Sequence, residues 1–141
     1  MTQEQKDLLL KDLSSRLPYG VNCKIYHKYR YYDMKLSGVF DNEAYFTDDN
    51  GSLYIDYENI KPYLFPLSSM TEEQYDEMQS ISGKDCLEHM EVEKEWINNS
   101  VFSHLPLYEY RVIDFFNKNH FDYRGLIPMG LAIDATDKNI Y

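Results

Sequence analysis

A chain of 141 residues that is 43% hydrophobic, 27% charged and 16% aromatic has material for one ordinary core and too much apolar content for a disordered segment. Its formal net charge of -10 opposes a phosphate backbone, so binding nucleic acid would need a local basic patch. No apolar run reaches the roughly 18 residues of a membrane span, and Met1 to Asp12 is charged where a secretory signal is apolar.

The expected elements, in chain order, begin with a helix. Thr2 followed by Gln5 is a capping-box pattern, and Leu9, Leu10, Leu13 and Leu17 recur at helical spacing until Pro18 and Gly20. This predicts a helix over residues 3 to 16, with a narrow apolar stripe laid across a sheet. From Val21 the period becomes two: Val21, Cys23, Ile25 and His27 alternate with polar or aromatic neighbours, as in a half-buried strand. A second strand is expected over about Met34 to Phe40 and a third over Ala44 to Thr47. Asp48-Asp49-Asn50-Gly51 supplies a tight hairpin with positive φ angles, and Leu53 to Tyr57 pairs back.

The run from Glu58 to Pro66 is broken by Pro62 and Pro66, so it reads as a short helical turn plugging an open sheet end with Ile60, Tyr63 and Leu64. Thr71 with Gln74 makes a second capping box before a helix over about 72 to 80, and Asp85 with Glu88 starts another carrying Leu87, Met90, Trp96 and Ile97. Pro106 suits a first helical turn, after which Tyr108, Val112, Phe115 and Phe116 share one face. The tail from Leu126 to Ile133 reads as irregular chain packed on the body.

These elements make an α+β chain forming a single domain over residues 1–141. An N-terminal helix and a four-stranded bent antiparallel sheet or small barrel (about 21–57) occupy residues 1–66. Two to three C-terminal helices, over 67–141, pack on that part. The element order resembles that of small SH3-like and Sm-like barrels, in pattern alone.

Two stretches, Ile60 to Gln74 and His120 to Ala135, together with the opening Gln3 to Gly20, resemble a family of small proteins of Bacteroides-type gut bacteria and their phages and mobile elements. The family carries no established activity, so the resemblance implies a phage or mobile-element setting and transfers no site residue. Relatives tend to carry arginine where this chain has Phe65 and glutamate where it has Pro128.

Few residues carry chemistry by pattern. Cys86, His89 and Glu93 share one face of the expected middle helix, but a closed zinc site needs a further half that the chain lacks. Asp48 to Gly51 lacks the spacing of a calcium loop. The chain has no nucleophile-elbow, phosphate-loop or metalloprotease motif. The expectation is a non-enzymatic chain without a metal or other cofactor.

Two charged surfaces stand out. Lys24, Lys28, Arg30 and Lys35 face only Asp33 in their stretch, with Tyr26, Tyr29, Tyr31 and Tyr32 interleaved, a composition suited to stacking and phosphate contact. Residues 71 to 95 hold nine acids against two lysines, and Glu88, Glu91 and Glu95 share a helix face able to dock a basic partner. The bland readings are an outer hairpin layer for the first and a solvated helix face for the second. The sequence favours a non-enzymatic protein–protein interaction or accessory module. Nucleic-acid binding through Lys24, Lys28, Tyr29, Arg30, Tyr31, Tyr32 and Lys35 is the alternative, and an enzyme without a local motif is third. No membrane is expected among its partners, and Cys23 and Cys86 fit reduced thiols of a cytoplasmic protein.

Overall fold

The computed structural model describes residues 1–82 and 110–141. Helix α1 (Gln3–Arg16) starts on a complete capping box: the Thr2 hydroxyl accepts from the Gln5 N–H at 3.2 Å and Gln5 Oε1 accepts from the Thr2 N–H at 2.9 Å. Leu9 and Leu13 are fully buried among Cys23, Ile25 and Phe46, each contributing about 1.5–3 kcal/mol of hydrophobic stabilisation. A 3-10 turn at Leu17–Tyr19 ends on Gly20, whose φ of 71° needs no Cβ. A side chain there would overlap the stem of Lys35.

Strands β1 (Asn22–His27), β2 (Arg30–Val39), β3 (Glu43–Asp48) and β4 (Gly51–Asp56) pair antiparallel in succession. After a 3-10 turn at Tyr57–Asn59, β5 (Ile60–Pro66) returns to pair antiparallel with β1. Helices α2 (Glu72–Ser82) and α3 (Tyr110–Lys118) follow. β6 (Phe121–Asp122) and β7 (Ile133–Asp134) then pair parallel with β5. The sheet order is β4-β3-β2-β1-β5-β6, with β7 also on β5.

The sheet therefore has, among the described residues, seven strands rather than the expected four, and it does not close into a barrel. Among the described residues β4 pairs with β3 alone, although the sheet curls enough to bring β1 and β4 close to one another. A bulge between Leu36 and Gly38 marks the bend in β2. The segment expected to plug the sheet as a helical turn is instead β5. Its prolines forbid a continuous helix, and with β1 on one side and β6 and β7 on the other it buries Ile60, Pro62, Tyr63 and Leu64, the near-continuous apolar run of an interior strand. The tail from Leu126 to Ile133, expected to be irregular, ends in β7 on the same sheet, and β6 joins that sheet just before the tail begins.

Two turn assignments also change. β2 begins at Arg30, four residues before the expected Met34, because Lys28 and Tyr29 adopt φ of 46° and 67° and make a two-residue turn of the left-handed kind. In the Asp48–Gly51 connection the positive φ falls on Gly51, at 144°, and not on Asp49 or Asn50.

The second capping box forms, with Thr71 and Gln74 exchanging bonds at 2.9 and 3.2 Å, and α2 runs on to Ser82. Val112, Phe115 and Phe116 of α3 are buried against Leu67, Met70, Met78, Phe121 and Tyr123. The expected helix carrying Leu87 to Ile97, and Pro106 and Tyr108 before α3, lie outside the described residues. No helix among the described residues is long and apolar enough to cross a membrane.

Candidate functional site

Strand alternation sorts the sheet into two faces. Cys23, Ile25, Met34, Leu36, Ala44, Phe46 and Ile55 face α1 and are buried. Lys24 and Tyr26 of β1, Tyr31, Asp33 and Lys35 of β2, Tyr45 of β3, and Tyr54 and Asp56 of β4 take the opposite, outer face.

The register brings two groups together on that outer face. In the first, Tyr26 is directly opposite Tyr31, with ring centroids 5.0 Å apart, and Lys24 Nζ lies 5.2 Å from the Tyr31 centroid. Lys24 pairs across β5 with Lys61 and across β2 with Asp33. Asp33 accepts a hydrogen bond from Tyr63 Oη at 2.6 Å, and that bond, after burial, raises the Tyr63 pKa. Tyr31 is 69% exposed, so its ring presents a free face to solvent.

In the second group Tyr54 stands between Phe40 and Tyr45, with centroids 6.1 and 4.8 Å away. Tyr45 Oη donates to Ser52 Oγ at 2.9 Å, and the rings of Phe40 and Tyr45 lie over the side-chain-free Gly38 in the bend of β2. Phe40 is 52% and Tyr54 56% exposed. Glu43 and Asp56, directly opposite one another, flank this group. The outer face is thus basic and aromatic toward β1 and β5, and acidic and aromatic toward β4.

The basic, tyrosine-rich stretch singled out by sequence is divided by the fold. Lys24, Tyr31 and Lys35 lie on the outer face, Tyr29 at the hairpin tip is 93% exposed, and Arg30 is exposed beside it. Lys28 and Tyr32 line a separate recess of about 370 Å³ where the ends of the β1–β2 and β3–β4 hairpins face each other. His27, Asp48, Asn50, Gly51 and Ser52 complete its rim, and Met34 and Leu53 lend it apolar surface.

A buried polar centre lies between α1, the sheet and the tail. Asp12 Oδ2 receives Arg16 Nε at 2.8 Å, and Asp12 Oδ1 receives Arg16 Nη2 at 3.0 Å and Arg124 Nη1 at 2.8 Å. Arg16 Nη2 also donates to the Phe121 carbonyl at 2.7 Å, while Arg16 Nη1 is buried and finds no partner among the described residues. Both guanidinium groups lie over the Tyr123 ring, at 5.4 and 4.5 Å. Asp122 accepts from the Leu126 and Ile127 N–H groups, each at 2.8 Å, and burial raises its pKa against those bonds. Burial pushes the Cys23 thiol up, with Asp12 adding to the effect. A protonated, enclosed thiol is poor nucleophilic machinery; the centre ties the tail to α1.

Sequence reasoning missed the Phe40, Tyr45 and Tyr54 group and Lys61. Alternation in Tyr45 and Tyr54 was the available signal, but their neighbour Phe40 is set by the β2–β3 turn. Among the described residues no three His, Cys, Asp or Glu side chains converge as a metal site. Cys86, His89 and Glu93, and the acidic face of Glu88, Glu91 and Glu95, lie outside the described residues. No protein-family model, curated protein or solved structure matches the chain.

Proposed function

We propose that this protein is a non-enzymatic interaction module that binds a partner protein through the outer face of its sheet. The observation that carries the reading is the set of aromatic side chains, Tyr26, Tyr31, Phe40 and Tyr54, left exposed on the face opposite α1. Aromatic rings supply much of the energy of protein interfaces, and a polar rim such as Lys24, Lys61, Glu43 and Asp56 gives orientation. A reducing intracellular setting belongs to the same proposal, supported by the free, buried Cys23.

Affinity capture from the native host tests it, with the double variant Tyr31→Ser and Tyr54→Ser as comparison. A saturable partner of the wild type is expected to be lost by the variant, which still unfolds in one cooperative transition with its midpoint lowered only by the lost ring contacts. Equal capture by the two proteins would refute the outer-face assignment.

The Lys24–Tyr31 cation–π contact with Lys61 alongside favours a second reading, single-stranded nucleic acid stacked on Tyr31 and Tyr26. A shift of labelled single-stranded DNA at about 50 mM salt, abolished by Lys24→Ala with Lys61→Ala, would replace the protein reading.

A further inference from the structure

Strand β4 carries an outward row of backbone groups that no described residue uses. The two-residue connection from Asp48 to Gly51 closes on a hydrogen-bonded pair. By antiparallel alternation Gly51, Leu53 and Ile55 then bond to β3, whereas Ser52, Tyr54 and Asp56 direct their N–H and C=O groups to the free edge. All three residues are exposed. Natural edge strands are usually blunted by lysine, proline or a bulge. The sequence Gly-Ser-Leu-Tyr-Ile-Asp of β4 has neither residue, and its register with β3 is unbroken.

The side chains at this edge specify what pairs with it. Glu43 and Asp56 sit directly opposite each other, a like-charge pair that destabilises a sheet. Asp41 follows Phe40 in the adjoining turn, and no ion pair among the described residues engages Asp41, Glu43 or Asp56. Beside them the half-exposed rings of Phe40 and Tyr54 offer negative π faces. In an added antiparallel strand, the side chains opposite Tyr54 and Asp56 share their outer face, so a cation there meets both carboxylates and the rings.

We infer that β4 is a strand-addition edge that takes an extended, lysine- or arginine-bearing segment of a partner protein, its cation seated against Glu43, Asp56 and the Tyr54 ring. The inference rests on the protein-interaction reading above and names the class of partner. Main-chain bonds supply affinity in such additions and alternate side chains supply specificity. A second copy of this chain fits the edge poorly, because it brings its own net charge of -10 to an acidic strand.

Selection of a random dodecapeptide library on the intact protein, at about 50 mM salt, is the test. Enriched peptides are expected to alternate lysine or arginine with β-branched or aromatic residues and to slow hydrogen exchange at the Ser52, Tyr54 and Asp56 amides. They are expected to bind the charge-reversed variant, Glu43→Lys with Asp56→Lys, at least about tenfold more weakly. Placing proline at their centre abolishes binding, since the ladder loses a donor. No enrichment, undiminished binding to the charge-reversed protein, or protection confined to other strands would overturn the inference. A natural partner held by the charge-reversed protein but lost by Tyr31→Ser with Tyr54→Ser would sink the edge assignment and leave the interaction module standing. A partner held by both variants would sink the two together.

Discussion

Asp12 and Arg16, one turn apart on α1, form an ion pair at 2.8 Å with neither side chain exposed to solvent. Arg124, from the tail, joins the same carboxylate at 2.8 Å. One carboxylate therefore balances two guanidinium groups in an enclosed site, and removing it leaves charge that water reaches poorly.

Asp12→Ala is expected to destabilise the protein by about 3–5 kcal/mol, the range for breaking a buried pair by deleting one partner. Asp12→Asn, which keeps one acceptor oxygen, costs less. Urea unfolding of both variants checks the order, with the slope of each transition unchanged.

His120 gives acid sensitivity of a defined sign. Burial first, then the charges of Arg16 and Lys35, push its pKa from an ordinary 6.5 down to about 4. The unfolded chain therefore binds the proton first, and the stability this group contributes is complete above pH 6.5 and is lost as pH falls toward about 4. Discounted for partial solvation of the ring, the loss is on the order of 1–2 kcal/mol. His120→Asn, which tolerates the φ of 62° at this position, should remove it. The raised pKa of Asp122 acts oppositely, so the measurement is the difference between wild type and variant in denaturant midpoint at pH 7 and pH 4.5.

Tyr141 seals the gap beside β1. Its hydroxyl accepts from the Asn22 N–H at 3.0 Å and donates to the Tyr63 carbonyl at 2.8 Å, while its ring stacks on His120 with centroids 3.8 Å apart. Tyr141→Phe keeps the stack and leaves both backbone groups without that partner, for a cost of about 1–3 kcal/mol. Calorimetry should show a Tm lower by roughly 3–8 °C; an unchanged Tm would mean that the bonds contribute nothing net.

Cys23 is enclosed and its thiol pKa is raised. In a Cys86→Ser background, an aromatic disulfide reagent at pH 8 is expected to label the native protein only at the rate of unfolding, and promptly in denaturant. Fast labelling of the native state would show that the site opens without unfolding.

Local chemistry made α1, the two capping boxes, the alternation in β1 and the buried face of α3 legible from residues alone, because side chains a few positions apart settle each of them. Thr2 with Gln5 and Thr71 with Gln74 bond as their spacing requires. Lys28 and Tyr29 show the limit: neither favours positive φ, yet the pairing of Tyr26 with Tyr31 and His27 with Arg30 imposes it. The same holds for β5, whose prolines suggested a plug until pairing with β1, β6 and β7 made an interior strand of it.

For the candidate surface, composition showed that lysines and tyrosines crowd residues 24 to 35. Strand alternation and the left-handed turn then divided them, sending Lys24 and Tyr31 to the outer face and Tyr32 and Lys28 to the recess. The grouping of Phe40, Tyr45 and Tyr54 beside Glu43 and Asp56, and the free edge of β4, depend on register between strands. The sequence by itself determined which residues are apolar, which are charged, and which segments begin as helix or strand. Only the tertiary structure decided which of them meet, because pairing across the sheet is set by the burial of all its strands together.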